Sequence, residues 1–251
     1  MTIAKSQTPS PSDSLEPEFF PAPPTNLPYD DGEPLETPRH RAAMNLLIDS
    51  LDHHWSDRSD YFVGGNMFLY YSAAQVKNKD FRGPDFFTVL GVDRFTTRKY
   101  WAIWDEAGKY PDIIIELMSD STATIDTQEK KRIYERTFKT PDYFVYNPYA
   151  PQSLQGWHLD QNQQYQPLDP NPQGHLWCKA LELWVGVWEG TINREFAPWL
   201  RFYDTTGSLV LLASEAAQQQ AEQAQQQAEQ ERLRADQLAE KLRSLGVDPD
   251  A

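Results

Sequence analysis

Two short apolar runs, each with an acidic residue at its edge, dominate the middle of the chain. The first, 84–90, reads Pro-Asp-Phe-Phe-Thr-Val-Leu, and the second, 111–119, reads Pro-Asp-Ile-Ile-Ile-Glu-Leu-Met-Ser. Their length and their β-branched and aromatic content predict strands. A polar segment with lysines follows and predicts a helix over residues 127–137. A third strand, Tyr143-Phe144-Val145-Tyr146, comes after it.

Upstream, Thr37-Pro38 reads as an N-cap followed by proline at the first helical position. Met44, Leu47, Ile48 and Leu51 then recur at helical spacing to about Trp55. Residues 61–63 and 67–71 read as strands separated by Gly64-Gly65-Asn66. Segment 77–83 is a polar connection, and 94–110 reads as a loop or short helix. Downstream, 156–159 with 165–168 predicts a hairpin, 181–188 alternates weakly, and 200–203 with 208–211 predicts a second hairpin around Thr206-Gly207. From Ala213 the composition turns to Ala, Gln, Glu and Leu. Ala217, Ala221, Ala224, Ala228, Glu231, Ala235, Leu238, Leu242 and Leu245 step by four and three, a heptad seam. The reading is a long exposed helix or coiled coil ended by Gly246, which could pair two chains through 213–245. Residues 1–29 are rich in Pro, Ser and acidic groups and read as a disordered arm, with Phe19-Phe20 as its docking candidates. The expected organisation is an arm at 1–29, an α/β domain at 30–211, a helical tail at 212–246 and a terminal tail at 247–251.

Composition sharpens this picture in three places. Hydrophobic content of 39% is low for a wholly globular chain, yet 8 Trp, 12 Tyr and 12 Phe stock an aromatic core. The formal charge of −14 argues against a general binder of duplex nucleic acid, which ordinarily presents a basic surface. The single cysteine, Cys178, excludes an intramolecular disulfide and a thiolate cluster, and points to a reducing, cytoplasmic setting. No apolar run approaches the roughly 18 residues of a membrane span, and the N-terminus shows no secretion signal.

The chemistry centres on Asp85 and Glu116. Both stand at the edge of apolar strands, and burying a carboxylate without a partner is expensive. Such acids commonly serve a hard divalent cation, which takes oxygen ligands from one or two carboxylates plus waters. Lys130 or Lys131 on the following helix could then assist a bound water. Each residue also has a plain structural reading. Asp85 could cap a turn after Pro84, Glu116 could pair with a lysine at a strand end, and Lys130 could be a solvated charge. Ser119, Ser121 and Thr122 could cap the helix, and Asp126 with Lys130 is an ordinary i,i+4 pair. The five histidines show no metal-ligand spacing. The tryptophans of 177–188 read as core, and Cys178 as a packed residue.

In order, the chain carries Pro84-Asp85, Ile115-Glu116-Leu117-Met118-Ser119, Ser121-Thr122, Asp126, Glu129-Lys130, Tyr134, Tyr143-Phe144 and Asn147-Pro148. With these residues it resembles the Uma-two restriction-endonuclease family common in cyanobacteria, part of the PD-(D/E)XK nuclease superfamily. Gly65-Asn66 before Phe68-Leu69-Tyr70-Tyr71, and the Ala/Gln/Glu-rich helix, resemble one subgroup of it. The resemblance covers about residues 30–251 and is densest over 83–148. It implies a restriction-endonuclease-like α/β fold, a mixed β-sheet flanked by helices, carrying a metal-dependent phosphodiesterase site. Asp85 and Glu116 would be the metal-binding carboxylates, Lys130 the catalytic lysine, Mg²⁺ or Mn²⁺ the cofactor, and DNA the substrate. The superfamily pattern places its lysine two residues after the second acid, where this chain has Met118; in this family it stands on the following helix, at Lys130. Lys131 is the alternative lysine, and Asp112, which also follows a proline, is the second choice for the first carboxylate. An acid on the first helix is a further family feature, with Glu36, His40 and Asp49 as loose candidates. Two functions are therefore expected of the chain: a Mg²⁺-dependent DNA endonuclease that uses a metal-bound water, or a non-catalytic nuclease-fold scaffold that oligomerises through its C-terminal helix.

Overall fold

A computed structural model of the chain describes Leu27 and residues 37–72, 83–119 and 122–245. The 1–29 arm except Leu27, most of the 77–83 connection, Glu36, Ser121, Gly246 and the 247–251 tail lie outside the described residues. Leu27 itself is buried against Phe68, Tyr70 and Ala102, so this residue of the expected arm belongs to the domain.

A six-stranded mixed sheet forms the centre, in the order β1-β3-β5-β6-β7-β8. Its strands are β1 (Tyr61–Gly64), β3 (Phe86–Leu90), β5 (Ile113–Leu117), β6 (Asp142–Asn147), β7 (Ala150–Leu159) and β8 (Tyr165–Pro167). Only β5 and β6 run parallel; the other neighbours are antiparallel. That single parallel pair needs a crossover, and the helical run 125–138, called α2, supplies it. Helix α1 (Pro38–His54) starts as expected, with Thr37 Oγ1 accepting the His40 N–H and proline in the first turn.

Side-chain parity divides the sheet into two apolar faces. On one, Phe86, Ile113, Ile115, Leu117, Phe144 and Tyr146 pack under Ala43, Leu46, Leu47 and Leu51 of α1. On the other, Phe87, Val89, Ile114, Met118, Tyr143 and Val145 pack under Tyr134 and Phe138 of α2. The unbroken run Ile113-Ile114-Ile115 thus serves both faces, as a strand covered on two sides requires.

Segment 94–110, expected as a loop or short helix, contains a strand, β4 (Trp101–Ala102), parallel to β2 (Leu69–Tyr70). The second expected hairpin is also different. β11 (Glu195–Tyr203) pairs along its whole length with β10 (Leu183–Ile192), turning at Asn193 and Arg194, both at positive φ. The 203–209 contact is only an isolated bridge. β9 (Leu176–Cys178) completes this three-stranded sheet. Its aliphatic residues enter the core, and of the tryptophans expected there the half-buried Trp188 packs against it, whereas Trp177 and Trp184 are half-buried and meet edge to face instead. Asp142, fully buried, staples this sheet to β6: it accepts the Ala180 N–H at 2.7 Å and the Cys178 thiol at 3.6 Å, and lies 2.7 Å from His158 Nδ1. Burial, then Asp142, pushes the Cys178 thiol up, consistent with a packed and unreactive residue.

The C-terminal helix α3 (Ala213–Ser244) has no buried residue. Its first turn is anchored by Glu215, which takes two hydrogen bonds from the fully buried Arg201, at 3.0 and 2.7 Å. Among the described residues, no helix is long and apolar enough to cross a membrane.

Candidate active site

The register of β3 against β5 pairs Phe86 with Ile115, and one residue further along sets Asp85 opposite Glu116. Parity turns both toward α2, alongside Phe87, Ile114 and Met118. Glu116 is fully buried. Asp85 is half-buried, and its Oδ2 accepts the Leu117 N–H at 2.7 Å. The Gly65-Asn66 break sits directly behind it. Asn66 donates its N–H to Pro84 O at 2.9 Å, and a Cβ on Gly65 would fall 2.1 Å from Asp85 O. Only glycine permits that approach.

Helix α2 brings the remaining groups. It is not a regular α-helix: Ile125–Lys130 and Tyr134–Phe138 are π-helical, and Lys131–Ile133 is the α-helical link. Ser119 and Thr122 cap its approach, each bonding the other's backbone N–H. Lys130 Nζ lies 3.0 Å from Glu116 Oε2 and 2.8 Å from Asp126 Oδ1. Asp126 Oδ1 is buried, and this ion pair is what compensates it. Tyr134 Oη donates to Glu116 Oε1 at 2.7 Å, and Tyr143 Oη donates to the Asp126 carbonyl at 2.8 Å.

The electrostatics follow from burial and from charge imbalance. Burial and the adjacent Glu116 hold the Asp85 carboxyl well above the usual range, while Lys130 opposes them. Burial disfavours the charged Lys130 amine, but Glu116, Asp126 and Asp85 outweigh it and raise its pKa. Burial and then Glu116 keep the Tyr134 phenol protonated, so it is a donor at neutral pH.

Among the described residues, no three or more His, Cys, Asp or Glu side chains form a metal centre from protein ligands alone. What the site holds is one ammonium among three carboxylates, two of which face each other across a strand pair. Hard oxygen donors and excess negative charge suit a cation that keeps most of its own waters, as Mg²⁺ does.

Asp85, Glu116 and Lys130, from three separate elements, are thus brought together. The alternatives are placed elsewhere. Asp112 shares the face of Glu116 but stands about 13 Å away along the strand, taking four residues at ~3.3 Å each. Its Oδ2 accepts the Leu90 N–H at 2.7 Å, mirroring Asp85 at the opposite end of the β3–β5 pair. Lys131 turns away, its Nζ 4.0 Å above the Trp157 ring. Met118, at the superfamily's lysine position, is core. His40 lies behind the strand end, with Nε2 3.2 Å from the Met118 carbonyl. Asp49 is remote, in a surface hollow with Asp52, His53 and Arg94. A cleft of about 590 Å³ beside β7, lined by Leu154, Trp157, Leu168 and Val187 among others, takes no part in this arrangement. Asp126 and Tyr134 were not assigned to the site from the sequence. Their signal was available in the four-residue recurrence Asp126, Lys130, Tyr134, Phe138.

Comparison with known proteins now bears on these residues. One solved structure with similarity is titled a "putative nuclease belonging to DUF820" from Anabaena variabilis ATCC 29413. It shares 12% identity at a TM-score of 0.42, over 61% of this chain and 81% of that one. No curated protein matches the chain. The Uma2 family, described as "Putative restriction endonuclease", matches residues 16–189, a span that holds Asp85, Glu116, Asp126, Lys130 and Tyr134, and the chain belongs to that family.

Proposed function

We propose that the chain is a divalent-metal-dependent phosphodiester hydrolase acting on DNA. Asp85 and Glu116 would hold the metal, and Lys130 would be the cationic partner of the reacting phosphate. The observation that carries this reading is the convergence of one ammonium and three carboxylates, largely buried, at one end of the central strands. A structural role alone would be better served by apolar side chains there. The family description supplies the substrate class.

When bound, Mg²⁺ or Mn²⁺ supplies Lewis-acid polarisation of a phosphoryl oxygen and acidifies a water. The protein's part is to hold geometry. The Leu117 N–H fixes one Asp85 oxygen, and Tyr134 and Lys130 each fix one Glu116 oxygen, so the acids keep their orientation. Lys130 would place positive charge where negative charge builds up on the phosphate. With a formal charge of −14 the chain as a whole repels DNA, so this reading rests phosphate capture on the metal and on local cations. A cytoplasmic setting accords with it.

The test is calorimetric titration of Mg²⁺ and Mn²⁺ into the wild type and the Asp85→Ala/Glu116→Ala double variant, with plasmid cleavage in parallel. Binding and cleavage confined to the wild type support the reading. Metal-dependent cleavage that survives in the double variant sinks this site.

A second reading has its own observation. α3 has no buried residue, and Leu233 and Leu238 on it are 49% and 62% exposed. That helix suits self-association into a homo-oligomer, which a non-catalytic scaffold would use. Deletion of residues 213–251 should then lower the mass seen by light scattering, and an unchanged mass counts against assembly through this helix.

A further inference from the structure

We infer that Asp126 is the positioning residue of Lys130, and that the wide turns of α2 exist to place it; the inference rests on the hydrolase reading for its kinetic consequence only. Asp126, Lys130, Tyr134 and Phe138 recur every four residues. On an α-helix of 3.6 residues per turn such a ladder rotates by about 40° per step, so Tyr134 would sit roughly 80° from Asp126. A π turn, bonded i→i+5, is wider and corrects that drift. In α2 the two π-helical segments flank a short α-helical link, and all four rungs face the sheet. Asp126 is 1%, Tyr134 0% and Phe138 3% exposed. π turns are rare, well under about 1% of residues, and gather at functional sites. Two of them within one short crossover need a reason, and the ladder provides it.

The plain alternative is a surface i,i+4 pair. Such pairs are solvated, whereas the Asp126 side chain here is 2% exposed and reaches its partner on the sheet side of the helix. A buried acid there carries a desolvation cost that an apolar residue would avoid. What it achieves is a second fixed point for a flexible side chain. Lys130 is 25% exposed, so with Glu116 alone its four-carbon stem is free to lift the amine toward water. With Asp126 at 2.8 Å and Glu116 at 3.0 Å, Nζ is held between two anchors.

The test uses the full chain with the isosteric Asp126→Asn and the charge-retaining Asp126→Glu. In Mg²⁺-supported DNA cleavage, Asp126→Asn should lower kcat on the order of 100-fold, as a misplaced group does. KM should stay within about twofold, since ground-state binding is untouched. Asp126→Glu should restore part of the rate. Independently of activity, NMR of the Lys130 side chain, assigned with Lys130→Arg, should show two distinct Hε signals in the wild type. These should merge into one in Asp126→Asn and separate again in Asp126→Glu. Unchanged kcat with Lys130 signals still distinct in Asp126→Asn overturns the inference. If the wild type cleaves no DNA, the hydrolase reading falls by itself and the NMR comparison alone decides the positioning role.

Discussion

Replacing Asp85 with asparagine should make the metal-free protein more stable and the metal-dependent protein inactive. The substitution keeps the shape and keeps an acceptor for the Leu117 N–H. It removes one of two facing negative charges. When both are ionised, at a separation of ~4–5 Å and an effective dielectric of ~20, that repulsion is about 3–4 kcal/mol. Lost attraction to Lys130 returns much of this, and the hydrogen bond from Leu117 weakens by about 1 kcal/mol when its acceptor becomes neutral. A net gain on the order of 1 kcal/mol remains, or about 2–4 °C in Tm for a domain of this size. The pH dependence has a definite sign. Asp85 is held above its unfolded value, so the native state binds more protons than the unfolded one between the two values. Wild-type stability therefore falls as pH rises from near the unfolded value of 3.8 through the raised folded value. The Asn variant lacks that slope, so its advantage should be present at pH 7 and fade toward pH 4. The assay is urea unfolding in EDTA at several pH values, repeated with Mg²⁺, where ligand binding should restore the wild type's lead. An Asn variant that is less stable than wild type at pH 7 without metal would refute the reasoning, because the carboxylate would then be stabilising in its own right.

Other outcomes follow from the same geometry. Lys130→Met, which keeps the stem, should lose activity and about 3 kcal/mol of stability by leaving Glu116 and Asp126 buried without their counter-charge; Lys131→Ala should leave the rate of plasmid cleavage unchanged. Gly65→Ala forces a Cβ onto Asp85 O, so it should cost about 1–3 kcal/mol in chemical unfolding and displace Asp85 enough to weaken metal binding by calorimetry. Arg201→Met removes the buried anchor of α3 and should cost about 3 kcal/mol or more, with hydrogen exchange quickening first in the turn around Glu215.

The strands that carry the site were legible because their residues serve two faces at once: Ile113-Ile114-Ile115 cannot be read as a half-exposed strand, and the acid that follows stands out against it. The resemblance named Asp85, Glu116 and Lys130, and the structure brings these three together. Asp126 and Tyr134 stand among the residues of the resemblance, but the period did not place them on one face with Lys130. A four-residue recurrence matches an α-helical stripe poorly over three turns, and π turns leave no compositional mark. β11 was cut short in the reading because Pro198 lies inside it. Proline is tolerated there since β11 is the edge of its three-stranded sheet, a fact that belongs to topology rather than to the local sequence. β4 was missed because two residues carry no alternation to detect.

The hydrogen bond from Leu117 to Asp85 constrains how this site can decay. An acid that also closes the end of a strand has two jobs, and only one of them is chemical. In a lineage that gives up catalysis, loss of Asp85 would strip the last N–H of β5 of its acceptor, whereas loss of Asp126 would remove one excess negative charge without touching the sheet. Relatives that have become scaffolds should therefore keep Asp or Asn at this position long after the helix ladder has eroded, so that the presence of the first carboxylate alone is a poor sign of an active enzyme, and the surviving lysine with its partner on α2 is a better one.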